Sequence, residues 1–332
     1  MKRIFTLALA VAALAACNKS EVVETAPAAA IAFDQAFVDN ATKATDITKE
    51  NIGDFGVYAS IQNTDGATGL ILDNARVYKK DGAWTYDNTQ YWAPKAKYFF
   101  AAFAPLNEAE WSYAVNDNAA QNGTITFNNA AAEADQDFIY AYTGRDLGNV
   151  EAIAAQPEKV GFTFAHQLAK ITFKFNNGFV AANNITLKVY NVTVAGVVSK
   201  ATAAVENGTA GEWGTAEGTF KRTFGAQSAD EAAVIAAQTA LTTDHHYFIP
   251  VAGTPYTITF DVDIIQAGVK VDTYHHSIDV TPELAKGGNY YLTTKLDPSN
   301  VSDDPTKQLY PIEFNVSAVE AWDPANGNVD VM

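Results

Sequence analysis

Few residues in this chain are placed to do chemistry, and the most conspicuous is a thiol. Cys17 is the single cysteine among 332 residues, so the chain forms no intramolecular disulfide and no cysteine-based zinc or iron–sulfur centre. The histidines invite a metal reading, since His245-His246 and His275-His276 are adjacent pairs. Neighbours on a strand point to opposite faces, however, so neither pair chelates as an i, i+2 pair would. His166 is expected to pack or hydrogen-bond rather than to catalyse. Asp135 and Asp137, or Asp303 and Asp304, could mimic the paired carboxylates of a glycosidase, but loop acids in so acidic a chain are expected to be solvated. There is no nucleophile elbow, zinc-protease helix, phosphate loop or calcium loop. These residues predict a protein that is not an enzyme and that uses no cofactor or metal.

The chain carries 22 Lys and Arg against 38 Asp and Glu, a formal charge of −16. That balance repels phosphate backbones, and no basic cluster offsets it, which argues against nucleic acid as a partner. With 48% hydrophobic and 12% aromatic residues, the composition is too apolar for disorder. Met1-Lys2-Arg3 followed by the apolar run from Ile4 to Ala16 reads as a secretory signal, too short for the ~20 residues that span a bilayer. Its end, Leu14-Ala15-Ala16-Cys17, resembles the lipobox of bacterial lipoproteins, in which small residues fit the signal peptidase and the thiol after the cut receives lipid. Residues 1–16 are then a signal peptide, Cys17 the lipid attachment point, and residues 17–30 a flexible tether. Loss of Lys2 and Arg3 leaves 20 basic against 38 acidic residues, or −18.

The elements beyond residue 30 follow period two, the spacing of a strand with one buried face. Ile171, Phe173 and Phe175 alternate with Lys170, Thr172 and Lys174; Tyr256, Ile258, Phe260, Val262 and Ile264 alternate with Thr257, Thr259, Asp261 and Asp263. Gln266-Ala267-Gly268 predicts a hairpin into Val269–Val280, with glycine where a positive φ is needed. A short helical turn at Thr281–Gly287, and helix or loop at Ala229–Leu241, are the few alternatives to strand. The fold predicted is all-β, with antiparallel sandwiches spanning 31–158 and 159–332 in tandem. Trp84, Tyr86, Tyr91, Trp92 and Trp111 concentrate in the first of these and are expected in its core, although exposed aromatics could stack on sugars.

Several segments, in order, resemble the fimbrillin family of Bacteroides-type bacteria. After the lipobox come Ile31-Ala32-Phe33, Thr42-Lys43-Ala44-Thr45 and Phe55-Gly56-Val57-Tyr58-Ala59. Tyr91-Trp92-Ala93-Pro94 then leads to Tyr98-Phe99-Phe100-Ala101-Ala102-Phe103-Ala104-Pro105. The central strand is Phe164-Ala165-His166-Gln167-Leu168-Ala169-Lys170-Ile171-Thr172-Phe173, and Gly288-Asn289-Tyr290-Tyr291-Leu292-Thr293 with Trp322 closes the set. The resemblance implies two transthyretin-like β-sandwich domains and a subunit, or precursor, of a polymerised cell-surface fimbria that supports adhesion. It implies an outer-membrane lipoprotein route, with other fimbrial subunits as partners, and donor-strand exchange: an N-terminal strand is removed and a neighbour's C-terminal strand fills the groove.

On this chain the strand to be displaced would be Ala30–Phe33, with Ile31 and Phe33 facing in. The donor would be Pro311–Val319, with Ile312, Phe314, Val316 and Ala318 on one face. The family's cut follows an arginine, but no arginine lies between Arg3 and Arg76, which leaves Lys43 and Lys49 as candidate processing sites. Without the family, the C-terminal strand would be expected to complete its own domain. The alternative function is a surface-anchored binding lipoprotein or fimbrial tip adhesin, using exposed aromatics against a glycan or receptor on a host or bacterial surface.

Overall fold

The computed structural model describes residues 29–38, 47–48, 51–106, 109–132, 136–153, 157–214, 216–304 and 306–319. Cys17, Lys43, Lys49 and the side chain of Ala318 lie outside the described residues. Among the described residues, twenty strands form four sheets. The first contains β1 (Phe33–Val38), β2 (Asp54–Gln62), β3 (Thr68–Lys80), β4 (Ala83–Tyr86), β5 (Lys97–Ala104), β8 (Ile139–Asp146) and β9 (Val160–His166), in the order β1-β9-β8-β5-β2-β3-β4. The second orders β13 (Thr209–Ala210), β12 (Lys200–Glu206), β7 (Ala119–Asn128) and β6 (Trp111–Asn116). The third orders β16 (Ala240–Phe248), β10 (Ala169–Asn177), β19 (Asn289–Leu296) and β20 (Asn315–Val319). The fourth orders β14 (Thr219–Phe224), β11 (Ile185–Val198), β17 (Tyr256–Gln266) and β18 (Val269–Val280), with β15 (Val234–Ile235) against β11.

The all-β expectation holds, and the strands owe their form to the alternation that sends every second side chain inward. In β9, Val160, Phe162, Phe164 and His166 are buried between exposed Gly161, Thr163 and Ala165. The predicted hairpin joins β17 to β18 through Ala267 and Gly268, whose φ of 48° and 84° suit a two-residue turn. Neither helix alternative forms: residues 281–287, 229–233 and 236–239 are turn or irregular, and only Val234–Ile235 and residues 240–241 of the second segment are strand, in β15 and β16. The sheets are not wholly antiparallel. β1 runs parallel to β9 and β10 parallel to β19, which the long intervening crossovers permit.

The sheets also do not divide at residue 158. β9 completes the first sheet, and β12 returns to pair with β7 after β11 has crossed the fourth sheet. The reason is burial. The first sheet is covered on both faces: Phe55, Val57, Tyr98, Phe100 and Phe162 fill its inner core, while Tyr58, Ala101, Phe103, Phe138 and Tyr140 pack against Ile125, Phe127, Ala201, Ala203 and Val205 of the second sheet. A sheet buried on both faces needs a near-continuous apolar strand, which the run Tyr98–Ala104 supplies. The third and fourth sheets enclose a separate core that includes Phe173, Phe175, Phe224 and Phe260.

Candidate functional site

The N-terminal segment closes the first sheet upon itself. Ala29 and Ile31 make backbone bonds with the stretch after β4: Ile31 N–H donates to the Gln90 carbonyl at 2.8 Å and Trp92 N–H to the Ala29 carbonyl at 2.9 Å. On its other edge, Val160 N–H donates to the Ala32 carbonyl at 2.8 Å, and β1 then follows β9. Between these two edges Ile31 and Phe33 are 1% and 2% exposed. The Phe33 ring meets Phe55, Tyr86, Phe100 and Phe162 at centroid distances of 6.5, 5.1, 6.3 and 5.9 Å. The two residues singled out by sequence therefore share one core, and the strand that carries them runs on beyond Phe33 to Val38, with Ala36 also buried.

Tyr86 joins both edges. Its hydroxyl donates to the Ile31 carbonyl and accepts from Gln90 N–H, each at 3.0 Å, and burial raises its pKa above the ordinary tyrosine value, against the lowering effect of the Gln90 bond. Alternation of Trp84 and Tyr86 marked this strand as core, but the hydroxyl's partners are distant in sequence and nothing local pointed to them.

A buried acid ties down the segment after β1. Asp137 is 2% exposed, contrary to the expectation of a solvated loop acid. Its Oδ1 accepts from Phe138 N–H at 2.8 Å, and its Oδ2 accepts from Ile47 N–H at 3.1 Å and lies 2.8 Å from His166 Nδ1. Buried carboxylates persist when their oxygens are saturated in this way. Asp135 lies outside the described residues.

The C-terminal strand sits at the edge of the third sheet, antiparallel to β19, with Val316 opposite Leu292. Ile312 is 6% exposed, in the core between the third and fourth sheets. Phe314, partly buried, meets Phe173, Phe175 and Phe260 at 5.6, 6.0 and 6.1 Å. Val316 is 39% exposed. The expected single apolar face is thus graded from buried to open, because among the described residues β20 has a sheet neighbour on one side only.

Two polar contacts bind the sheet pairs together. Arg222 on β14 donates through Nη2 to the Asn129 carbonyl at 2.7 Å, to Asn129 Oδ1 at 3.2 Å and to the Ala132 carbonyl at 3.3 Å. Lys286 lies over the Trp213 ring at 5.1 Å and donates to Gln167 Oε1 at 3.2 Å and to the Gly211 carbonyl, while Trp213 Nε1–H donates to the Gln167 carbonyl at 2.7 Å.

The remaining sequence candidates fall elsewhere. In each histidine pair one ring is buried, His246 and His276, and its neighbour is more open. Among the described residues no group of three or more His, Cys, Asp or Glu could hold a metal ion. Of the five aromatics considered for sugar stacking, Tyr86, Trp92 and Trp111 are buried, Trp84 packs on Phe55 at 4.9 Å, and Tyr91 is 54% exposed.

A family model described as fimbrillin-like matches residues 42–316, and a pattern for a prokaryotic membrane lipoprotein lipid attachment site matches residues 1–18, which include Cys17. No curated protein matches the chain. Among solved structures, a fimbrial protein from Bacteroides vulgatus aligns with a TM-score of 0.57 at 16% identity, over 87% of this chain and 99% of that one. A candidate cell adhesion protein from Bacteroides uniformis aligns with a TM-score of 0.50 at 17% identity, over 89% of this chain and 98% of that one. The fimbrial anchor protein Mfa2 from Porphyromonas gingivalis is more distant, with a TM-score of 0.39 at 8% identity over 81% and 89%. At such identities the likeness is one of fold.

Proposed function

The chain belongs to the fimbrillin-like family, and from that premise we propose that it is a structural subunit, or the precursor of one, of a cell-surface fimbria. It is exported as an outer-membrane lipoprotein through Cys17 and polymerises by donor-strand exchange with other fimbrial subunits. The observation that carries this reading is the closing position of Ala29–Val38, whose backbone bonds and side chains bridge two edges of one sheet.

Removing that segment after a cut at Lys43 or Lys49 leaves the Gln90 carbonyl and the Trp92 and Val160 N–H groups without their partners and opens the Phe33 seat between Phe55, Tyr86, Phe100 and Phe162. An unpaired edge beside an apolar groove is a hazard unless a strand fills it, and strand addition satisfies both needs. A donor carrying Ile312, Phe314 and Val316 would gain ~1.5–3 kcal/mol for each large side chain it buries, and about 0.5–1.5 kcal/mol for each ladder bond. It must first leave its own place beside β19, where Phe314 is already packed, so assembly is an exchange of one seat for another.

Immunogold electron microscopy with antibodies to this chain tests the proposal. Label along surface fibres is the expected result; fibres that carry none would remove the chain from the polymer.

A further inference from the structure

The outer face of the third sheet has a charge balance unlike that of the whole chain. Ile171, Phe173 and Phe175 of β10 turn into the core, so Lys170, Thr172 and Lys174 turn outward. The register carries this face across the sheet. His245 of β16 and Tyr291 of β19 lie on either side of Thr172, and Thr293 of β19 lies beside Lys174. Lys295 follows two residues along β19. Among the described residues these outward positions hold three lysines and a histidine but no aspartate or glutamate, in a chain with 38 acids against 22 bases. The one acid within the four strands, Asp244, sits at the irregularity in β16 and turns toward the end of β14, where its Oδ1 accepts from Gly225 N–H at 2.6 Å.

The three lysines differ in availability. Lys170 is 2% exposed, and Lys295 lies 3.4 Å from Asp297 just past the strand. Lys174 is partly exposed and makes no ion pair among the described residues. Thr172, 5% exposed, is a short side chain between His245 and Tyr291, which stand two strand spacings apart, about 9.5 Å. Tyr291 is itself partly exposed. Among the described side chains the face offers an aromatic ring, a cation one step along, and hydroxyl groups. It has none of the large exposed apolar anchors on which protein interfaces depend.

We propose that this face binds a carboxylated polysaccharide, with the Tyr291 ring against a sugar face and the Lys174 ammonium against a uronate carboxylate. An aromatic ring packs on the apolar C–H face of a sugar, and a uronate carries one carboxylate per ring while leaving that face clear. The acid-free surround spares the carboxylate the repulsion it meets elsewhere on a chain of charge −16. The Thr293 hydroxyl is placed to meet those of the sugar. Lys174 and Tyr291 belong to β10 and β19, which strand exchange between subunits leaves in place, so the site adds a ligand to the structural role and does not depend on it.

Titration of the detergent-solubilised full chain with polygalacturonate tests the proposal, with amylose as the uncharged control and polyglutamate as the acidic polypeptide control. The expected result is binding to polygalacturonate that weakens as salt is raised and is at least tenfold tighter than binding to either control. Absence of binding to polygalacturonate overturns the proposal. Equal binding to polyglutamate marks a surface that reads charge alone and overturns the polysaccharide as its ligand. Lys174→Glu and Tyr291→Ala should each weaken binding at least tenfold, while Tyr291→Phe, which keeps the ring, should stay within twofold. Lys80→Glu makes the same charge change at an exposed position on β3 and should leave binding unchanged. Full binding by Tyr291→Ala, or a loss with Lys80→Glu equal to that with Lys174→Glu, overturns this face as the site. Urea midpoints separate loss of the site from loss of the fold. Should Lys174→Glu unfold, the milder Lys174→Gln must weaken binding at least threefold, and full binding by that variant overturns the role of the lysine.

Discussion

The Tyr86 hydroxyl donates to the Ile31 carbonyl oxygen at 3.0 Å. Through this bond the end of β4 holds the N-terminal segment, and the same hydroxyl accepts from Gln90 N–H. One side chain therefore secures both that segment and the stretch it pairs with.

Tyr86→Phe should lower stability by about 2 kcal/mol, because two backbone groups lose a partner in a buried setting. Phe33→Ala should cost about 3–5 kcal/mol, as expected for a large aromatic removed from a core. Phe314→Ala should cost less, since its ring is only partly buried. Urea unfolding of the three variants gives the order; a Phe314→Ala loss exceeding that of Phe33→Ala would show that the C-terminal strand, not β1, holds the more demanding seat.

Arg222→Ala should lower stability by about 2–3 kcal/mol, the scale for hydrogen bonds from a charged donor. It leaves the Asn129 and Ala132 carbonyls without the guanidinium that links the fourth sheet to the loop after β7. Hydrogen exchange at residues 129–132 should quicken in the variant. Unchanged protection there would mean that the Arg222 contact does not hold the loop after β7.

Burial lowers the Lys286 pKa to about 8, against the opposing pull of Glu212. Between that value and the ordinary lysine value near 10.5, the unfolded chain holds the proton more often than the folded one, so this group adds stability as pH rises through the interval. Compared with Lys286→Met, the natural chain should gain stability from about pH 8 to 10 and show a constant difference from about pH 6 to 7. Urea midpoints for both proteins across that range test it; a flat difference throughout rejects a depressed lysine.

Cys17→Ser should move the protein from the detergent phase to the aqueous phase in cloud-point partitioning and leave its signal peptide in place. In fibres from cells with the natural chain, intact-mass measurement should give a mature N-terminus just after Lys43 or Lys49. A terminus still at Cys17 would eliminate processing at both lysines.

Legibility in the sequence followed side-chain size. β9, β10 and β17 were evident because phenylalanine, isoleucine and valine alternate with polar residues. β12 was not, since its buried face is Ala201, Ala203 and Val205, and small residues alternate without a visible contrast. β3 is obscure for another reason: most of its thirteen residues are partly exposed, so burial imposes no clean period. The candidate site was half readable. Ile31, Phe33, Ile312 and Phe314 could be named from alternation and family resemblance, whereas Tyr86, Gln90 and Asp137 act through partners far away in sequence.

The sequence by itself determined the all-β class, the inward faces of the strands rich in large apolar residues, the acidic balance and the lipid attachment pattern at Cys17, because each depends on residue type and near spacing. Only the tertiary structure decided that the N-terminal strand closes the first sheet, that β12 returns across the expected boundary, and that the C-terminal strand rests beside β19. Those outcomes depend on which edges meet, and a strand's edge consists of backbone N–H and C=O groups that every residue but proline carries alike.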